Sequence, residues 1–178
     1  LPILMSADYY DVPGNGPVVN TAVQVPGEFL VFGPQPDGKI QAVVDLSGIV
    51  LDDKGNVKAN FLERIVTTAP SLESTKGFQN DILFTYPTQL TPGLYQVRVA
   101  ARDDKGGKAG SAHAWIEIPD LTKKKLAMSS LLLGERMQAV LTNVSSPTGA
   151  NPVALSASHS FRRESSLRFL LFAYNSAL

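Results

Sequence analysis

The sequence predicts an all-β fold: an antiparallel sandwich of the immunoglobulin-like or fibronectin type III-like kind, followed by a partial second β unit. Prolines and glycines recur through the first 38 residues and prevent a helix of useful length there. Farther along, apolar and polar residues alternate with the period of a half-buried strand. Most of these segments end in a turn signal, and about seven or eight strands precede Pro119, which is typical of a two-layer sandwich.

The first half of the chain supplies most of the predicted strands. Short strands are expected over residues 3–11, 17–25 and 28–32, a longer one over 39–51, and another over 79–86. The long strand ends in the hairpin turn Asp52-Asp53-Lys54-Gly55, and a return strand begins at about Val57. Its alternation breaks at residues 61–65, which predicts either a bulge or a turn of helix.

The closing hairpin shows the strand pattern most clearly. Tyr95, Val97 and Val99 share one face of its first strand, and the return strand runs to Ile118. The turn between them is Asp103-Asp104-Lys105-Gly106-Gly107. Tyr95 follows a Pro-Gly corner, so it is either a tyrosine corner, whose hydroxyl bonds back to the backbone, or a plain core tyrosine.

We divide the chain after Pro119. Residues 1–119 form the sandwich, 120–125 a polar linker ending in three lysines, and 126–178 additional strands, predicted over 126–133, 153–161 and 167–174. So small a tail is too short to close its own sandwich. It either packs on the first domain or is the truncated start of a second domain, whose exposed strand edges would favour a homodimer. Because the chain begins at Leu1 without Met or a signal-like segment, we take it as a piece of a longer protein.

Composition excludes several function classes. With 16 basic and 16 acidic residues the net charge is zero, so we expect no nucleic-acid partner. No apolar run approaches the roughly 20 residues that span a bilayer, so we expect no direct membrane insertion. The absence of cysteine excludes disulfides and thiolate chemistry.

No catalytic or cofactor site is predicted. His113 and His159 are the two histidines, and a Ser-His-Asp site would need one of them. Neither lies in a recognisable motif, and the sequence has no G-x-S-x-G elbow and no glycine-rich nucleotide loop. We therefore expect a protein that is not an enzyme and needs no cofactor, with a hydrolase as the third function hypothesis.

The hairpin tips carry the candidate metal ligands. Asp52 and Asp53 form one carboxylate pair, and Asp103 and Asp104 form another. A lysine follows each pair, and further acids at alternating positions are missing, so the turns lack a calcium-loop pattern. Turn chemistry explains these residues better than metal binding, and no metal site is expected.

One surface is a candidate for interaction. Trp115 is the single tryptophan and shares the polar strand face with His113, while Gln96 and Arg98 lie on the neighbouring strand, where Arg98 is placed to cover the indole ring. An exposed aromatic side chain on a sheet is either a carbohydrate platform or a protein contact. The alternative is that the tail or another domain covers it.

Three segments carry a resemblance to a known family: GLYQVRVAARDDKGGKAGSAHAWIEIPDL, KLAMSSLLL and FRRESSLRFLLFAYN. They are similar to the C-terminal half of von Willebrand factor A-related (VWFA-related) proteins of Acidobacteria, in which such segments follow the A domain. The resemblance extends from about Asp8 to Asn175, and its motifs are strand and turn patterns. It implies an exported bacterial protein, periplasmic, cell-surface or secreted, whose metal-dependent adhesion site belongs to the upstream A domain. Ile49 replaces the second serine of the DxSxS motif in Asp45-Leu46-Ser47-Gly48-Ile49, so this chain cannot inherit those metal ligands.

The leading function hypothesis is a non-catalytic structural or interaction module. Its expected partner is the upstream A domain or another protein, which it supports or docks. The second hypothesis is a ligand-binding sandwich, most plausibly for carbohydrate, that uses Trp115 and neighbouring tyrosines.

Overall fold

The computed structural model describes residues 1–12, 14–75, 81–136, 153–155, 157–161, 163–164 and 166–175. Within these ranges the chain forms strands and short 3₁₀ turns and no α-helix, so the all-β prediction is confirmed. The strands of the first part are β1 (Leu4–Val12), β2 (Gly16–Val25), β3 (Gly33–Pro34), β4 (Ile40–Asp52), β5 (Val57–Ala69), β6 (Ile82–Gln89), β7 (Gly93–Asp103) and β8 (Ala109–Ile118). Those that follow are β9 (Ala127–Met128), β10 (Leu132–Arg136), β11 (Val153–Leu155), β12 (Leu167–Leu170) and β13 (Ala173–Tyr174).

Two antiparallel sheets make the sandwich. The first has the order β1-β2-β6. In the second, β4 pairs with β5 along one edge and with β7 along the other, β7 pairs with β8, and the short β3 lies beside the start of β4. In immunoglobulin nomenclature β1, β2 and β6 occupy the A, B and E places and β4, β7 and β8 the C, F and G places. The predicted sandwich topology is therefore present.

The core lies between these sheets and follows the alternation of the strands. On β4 the inward residues are buried and the residues between them are half-buried. Phe61 on β5 lies over Gly48, where its ring occupies the space that a Cβ would take, and it stacks on Tyr86 with ring centroids 4.4 Å apart. The fully buried aliphatic and aromatic side chains are Tyr9, Val19, Val23, Val25, Val44, Val50, Val97 and Ile118.

The corner before β7 is a tyrosine corner. The Tyr95 hydroxyl donates to the Thr91 carbonyl oxygen at 2.8 Å, and the Tyr95 side chain is buried among apolar residues. Of the two interpretations that the sequence left open, the structure selects the first. The bond fixes the crossing loop to the strand that leaves it.

Two strand predictions were wrong. Residues 28–32 do not form a strand, because Pro26 precedes a 3₁₀ turn at Gly27–Phe29 and the next ladder begins only at Gly33. Residues 61–65 contain neither a bulge nor a helical turn. Phe61 faces the core at 5% exposure and Leu62 faces solvent at 82%. The side chains therefore continue to alternate, and the sequence pattern breaks only because the solvent-facing residue is also apolar. The register shift lies instead between Val50 and Leu51.

The tail consists of shorter strands than predicted. β10 pairs with both β11 and β12, and β9 pairs with β13. The expected strands over 126–133 and 167–174 are each interrupted, because Ser129 leaves the ladder to exchange hydrogen bonds with Phe172. The third expected strand, 153–161, is reduced to β11, and residue 156 lies outside the described residues, as do residues 137–152.

The tail contacts the sandwich along the edge of β1. The Ser130 amide donates to the Tyr9 carbonyl at 2.8 Å, and the Ser130 hydroxyl accepts from the Tyr9 amide at 2.9 Å. The Tyr174 hydroxyl accepts from the Asp11 amide at 2.7 Å. These bonds pair backbone groups that an edge strand otherwise presents to solvent.

Candidate functional site

The predicted interaction residues come together on the outer face of the β3-β4-β5-β7-β8 sheet. Trp115 lies opposite Gln96, and His113 lies opposite Arg98 in the β7-β8 register. The Trp115 side chain is 55% exposed. The described residues of the tail hydrogen-bond to β1 in the other sheet and leave this indole exposed. We call this set, with Glu117, the Trp115 platform.

Arg98 has a different contact from the one expected. Its Nε donates to Gln96 Oε1 at 2.7 Å, and within the described ranges no cation lies over the Trp115 ring. Arg98 and Gln96 are two residues apart on the same face of β7, whereas Trp115 is diagonal to Arg98 on the neighbouring strand. The amide oxygen of Gln96 is therefore nearer to the guanidinium than the indole is. The guanidinium therefore orients the Gln96 amide and keeps its own terminal N–H groups available.

A shallow groove lies farther along the same face, with a cavity volume of about 480 Å³. Small residues, Ser47 and Ala100, lie along it, and Leu62 is at its edge. Arg64 closes one end by bonding to Asp45 at 2.7 Å and to Asp104 at 2.9 Å. Sequence reasoning missed this groove because it predicted a bulge or a turn of helix at residues 61–65 of β5. The adjacent Phe61 and Leu62 were the signal that both faces of β5 carry apolar residues.

The hairpin carboxylates have protein partners. Asp52 accepts from the Lys54 and Asn56 amides at 3.0 and 2.8 Å and pairs with Lys58 Nζ at 3.1 Å. The side-chain bond from Asn56, followed by the backbone bond and Lys58, holds the pKa of Asp52 well below its usual range. Asp53 is exposed. In the part of the chain that the structure describes, no three His, Cys, Asp or Glu residues are grouped to hold a metal ion.

Asp103 differs from its counterpart at the other tip because it is completely buried. Its Oδ2 accepts from the Val31 and Gly106 amides, each at 3.1 Å, while Oδ1 has no hydrogen-bond partner. Asp104, next to it, is on the surface and pairs with Arg64. The same Asp-Asp-Lys-Gly sequence thus serves as a solvated turn in one place and as an anchor for a distant loop in the other.

The histidines lie far apart in the fold. His113 is exposed on the Trp115 platform, whereas His159 is in the tail near Asp8. Burial raises the pKa of Asp8, and the Ser6 hydrogen bond and the charge of His159 offset part of that increase. Ser6 donates its hydroxyl directly to Asp8 at 2.9 Å. In a catalytic triad the serine donates to the imidazole and the imidazole donates to the carboxylate, so this contact does not activate Ser6 as a nucleophile.

The tail exposes a surface that sequence reasoning missed. On β12 Leu167 and Phe169 point outward with exposed fractions of 54% and 72%, and Leu131 and Leu171 are 48% and 43% exposed. Leu133 lies directly opposite Phe169 on β10. We call these five residues the C-terminal apolar face. The alternation of Leu167, Phe169 and Leu171 was the available signal, but it is equally typical of a core strand.

None of the helical segments in the described ranges is long and apolar enough to cross a membrane. No protein-family model matches the chain, and no curated protein matches it. Among solved structures, a calcium binding mutant of Bacteroides uniformis beta-glucuronidase 2 has 12% sequence identity and a TM-score of 0.45, over 71% of this chain and 13% of that chain. A second Bacteroides uniformis beta-glucuronidase has 12% identity and a TM-score of 0.43, over 75% and 14%. This chain therefore spans about a seventh of those chains, and likenesses at this level have no bearing on its function.

Proposed function

We propose that the chain is a non-catalytic interaction module that docks a neighbouring folded domain through the C-terminal apolar face. The domain is the upstream A domain of an exported VWFA-related protein, and the module works outside the cytoplasm. The resemblance of the three sequence segments supports this choice of partner and compartment. The exposure of the C-terminal apolar face is the observation that carries the docking function.

The two faces of the β10-β12 pair support docking. Leu132 is buried at 6% exposure, so one face already packs within the chain. On the opposite face Leu167 and Phe169 are exposed, whereas the solvent-facing side of an antiparallel sheet carries polar residues. Exposed apolar residues that are contiguous on one surface mark an interaction site, whereas single ones are ordinary.

The side chains of this face suit the centre of a protein interface. Full burial of each large apolar side chain stabilises a complex by about 1.5–3 kcal/mol before the costs of association are subtracted. Phe169 has the most exposed ring and lies between Leu167 and Leu171, which are placed to exclude water around it.

The test is binding to the A domain encoded upstream in the same reading frame. Phe169→Lys is expected to weaken binding by about 100-fold or more, because it places a charge in an apolar contact. Trp115→Ala is the matched control: it removes an exposed aromatic ring elsewhere and should leave the affinity within about twofold. Circular dichroism and urea denaturation check that both variants are folded.

Three results would overturn the proposal. One is a reading frame that encodes no A domain, and the second is an A domain that does not bind the folded chain. The third is a Phe169→Lys variant that binds as tightly as the unmodified chain.

A further inference from the structure

We propose that the Trp115 platform, together with the groove beside it, is a binding site for a neutral saccharide chain. This site goes beyond the docking function and lies on a different sheet from the C-terminal apolar face. It uses the outer face of β7 and β8, where every second residue points away from the core.

The indole lies among hydrogen-bonding groups, with Leu94, which is 44% exposed and opposite Glu117, as an apolar neighbour on β7. Gln96 lies opposite Trp115, and His113 and Glu117 lie two residues away along β8 on the same face. Neighbouring strands are about 4.8 Å apart and alternate residues about 6.7 Å, so these groups ring the indole at the distance of a sugar's hydroxyls.

The polar side chains of the platform have no hydrogen-bond partner outside the platform among the described residues. Gln96 uses its Oε1 to accept from Arg98, which leaves the amide N–H groups as donors. Within the residues that the structure describes, the side chains of His113 and Glu117 make no hydrogen bond or ion pair. The platform therefore combines donors with a carboxylate acceptor. Sugar hydroxyls, each both donor and acceptor, satisfy such a mixture, whereas a ligand with groups of one kind does not.

The balance of charge favours a neutral ligand. Arg98 and Glu117 carry opposite charges on either side of Trp115. Around the groove Arg64 bonds to both Asp45 and Asp104, and Arg102 adds the second positive charge. With Glu63, which also lines the groove, four carboxylates stand against three arginines, so this face lacks the excess of cations that attracts a polyanion.

The groove extends the site beyond one sugar. Ser111 is four residues from Trp115 on the same strand face, about 13 Å away, and lies opposite Ala100 in the groove. The short side chains of Ser47 and Ala100 leave the cavity of about 480 Å³ open to solvent. A chain stacked on Trp115 can therefore continue past His113 into the groove.

Trp115 is also the reporter, because it is the single tryptophan of the chain. Its fluorescence is titrated with cellohexaose, xylohexaose, laminarihexaose and mannohexaose, and calorimetry repeats each titration so that variants without tryptophan can be measured. We expect saturable binding of at least one oligosaccharide. Because the ligand is uncharged, the affinity should change less than about twofold between about 50 and about 500 mM NaCl.

Three variants localise the site. Trp115→Ala should reduce the affinity by about tenfold or more, and Glu117→Ala by about threefold or more, through the loss of ring contact and of the acceptor. Phe169→Ala, which removes an exposed ring from the C-terminal apolar face, should have no effect. Because that residue carries the docking proposal, the two proposals succeed or fail separately.

The inference is overturned if none of the four oligosaccharides binds, or if Trp115→Ala binds as well as the unmodified chain. Binding of polygalacturonate alone, with affinity lost at high salt, would replace it with an anionic ligand. Binding of the A domain that Trp115→Ala abolishes and Phe169→Lys does not would assign the platform to a protein.

Discussion

At the scale of single residues, two buried side chains fix the two ends of the strand β7. Tyr95 holds its first residues to the crossing loop through Thr91. Asp103 holds its last residue to the segment that contains Val31, 72 residues away in sequence. Both replace backbone pairing where the ladder ends, and both are structural.

Tyr95→Phe tests the corner. Removing the hydroxyl leaves the Thr91 carbonyl without its 2.8 Å donor, and we expect a loss of about 1–2 kcal/mol in the free energy of unfolding. Urea denaturation measures it. The control is Tyr86→Phe, whose hydroxyl has no hydrogen bond within the described residues and whose loss should cost less than about 0.5 kcal/mol. Equal unfolding midpoints for the two variants would contradict the assignment.

Asp103→Ala tests the buried carboxylate. Two backbone amides lose their acceptor in an interior position, so we expect destabilisation of about 2–4 kcal/mol. Asp53→Ala, at the exposed tip of the other hairpin, should change stability by less than about 0.5 kcal/mol. Similar losses in both variants would show that the two turns are equivalent after all.

These residues also show where sequence reasoning ends. Tyr95 was recognisable because its partner is four residues away and a Pro-Gly corner stands before it. Asp103 was not distinguishable from Asp52, because its burial depends on the distant segment at Val31, which no local pattern reveals. The groove beside Arg64 was missed for the same reason: it exists only once β5, β4 and β7 are placed side by side.

At the scale of elements, hydrogen bonds join the tail to the edge strand β1. Hydrogen bonds from Ser130 and Tyr174 reach the backbone of Tyr9 and Asp11 on the open edge of β1. β5, by contrast, is paired on the β4 side alone within the described structure. The homodimer expected through exposed strand edges of the tail stays a prediction, β5 presents a further unpaired edge within the described residues, and light scattering after size exclusion measures the oligomeric state.

Tyr174→Phe tests the contact between the tail and β1. The Asp11 amide loses its 2.7 Å acceptor, so its hydrogen exchange should become at least about fivefold faster. Tyr10→Phe serves as the control, since its hydroxyl makes no hydrogen bond in the described ranges. An Asp11 exchange rate unchanged by Tyr174→Phe would show that the bond does not persist in solution.

The stability of the same region should depend on pH through Asp8. Burial raises the pKa of this carboxyl above its ordinary 3.8, so the folded state holds the proton more tightly than the unfolded state. The stability from this group is therefore complete below about pH 3.8 and is lost as pH rises through the folded pKa.

Comparison with Asp8→Asn isolates this effect from other carboxyls, such as Asp52, whose lowered pKa acts in the opposite direction. Urea midpoints are measured for both proteins from about pH 3 to about pH 8. We expect the unmodified chain to lose stability relative to the variant as pH rises. A difference that is constant, or that changes with the other sign, would contradict the assignment.

At the scale of the whole molecule, the chain exposes two surfaces of different chemistry on different sheets. The C-terminal apolar face offers aliphatic and aromatic groups, which suits a folded protein. The Trp115 platform offers an aromatic ring among polar side chains. A module that holds an A domain with one surface and a saccharide with the other would bring that domain to a glycan-bearing surface.

Docking of the A domain by the C-terminal apolar face can be read from a hydrogen-exchange footprint. The full chain is labelled in deuterated buffer with and without saturating A domain, and amide protection is read strand by strand. Docking through the C-terminal apolar face predicts slower exchange in β10 and β12 on addition of the A domain, with β7 and β8 unchanged. Protection confined to β7 and β8, or no protection while the A domain is bound, would contradict it.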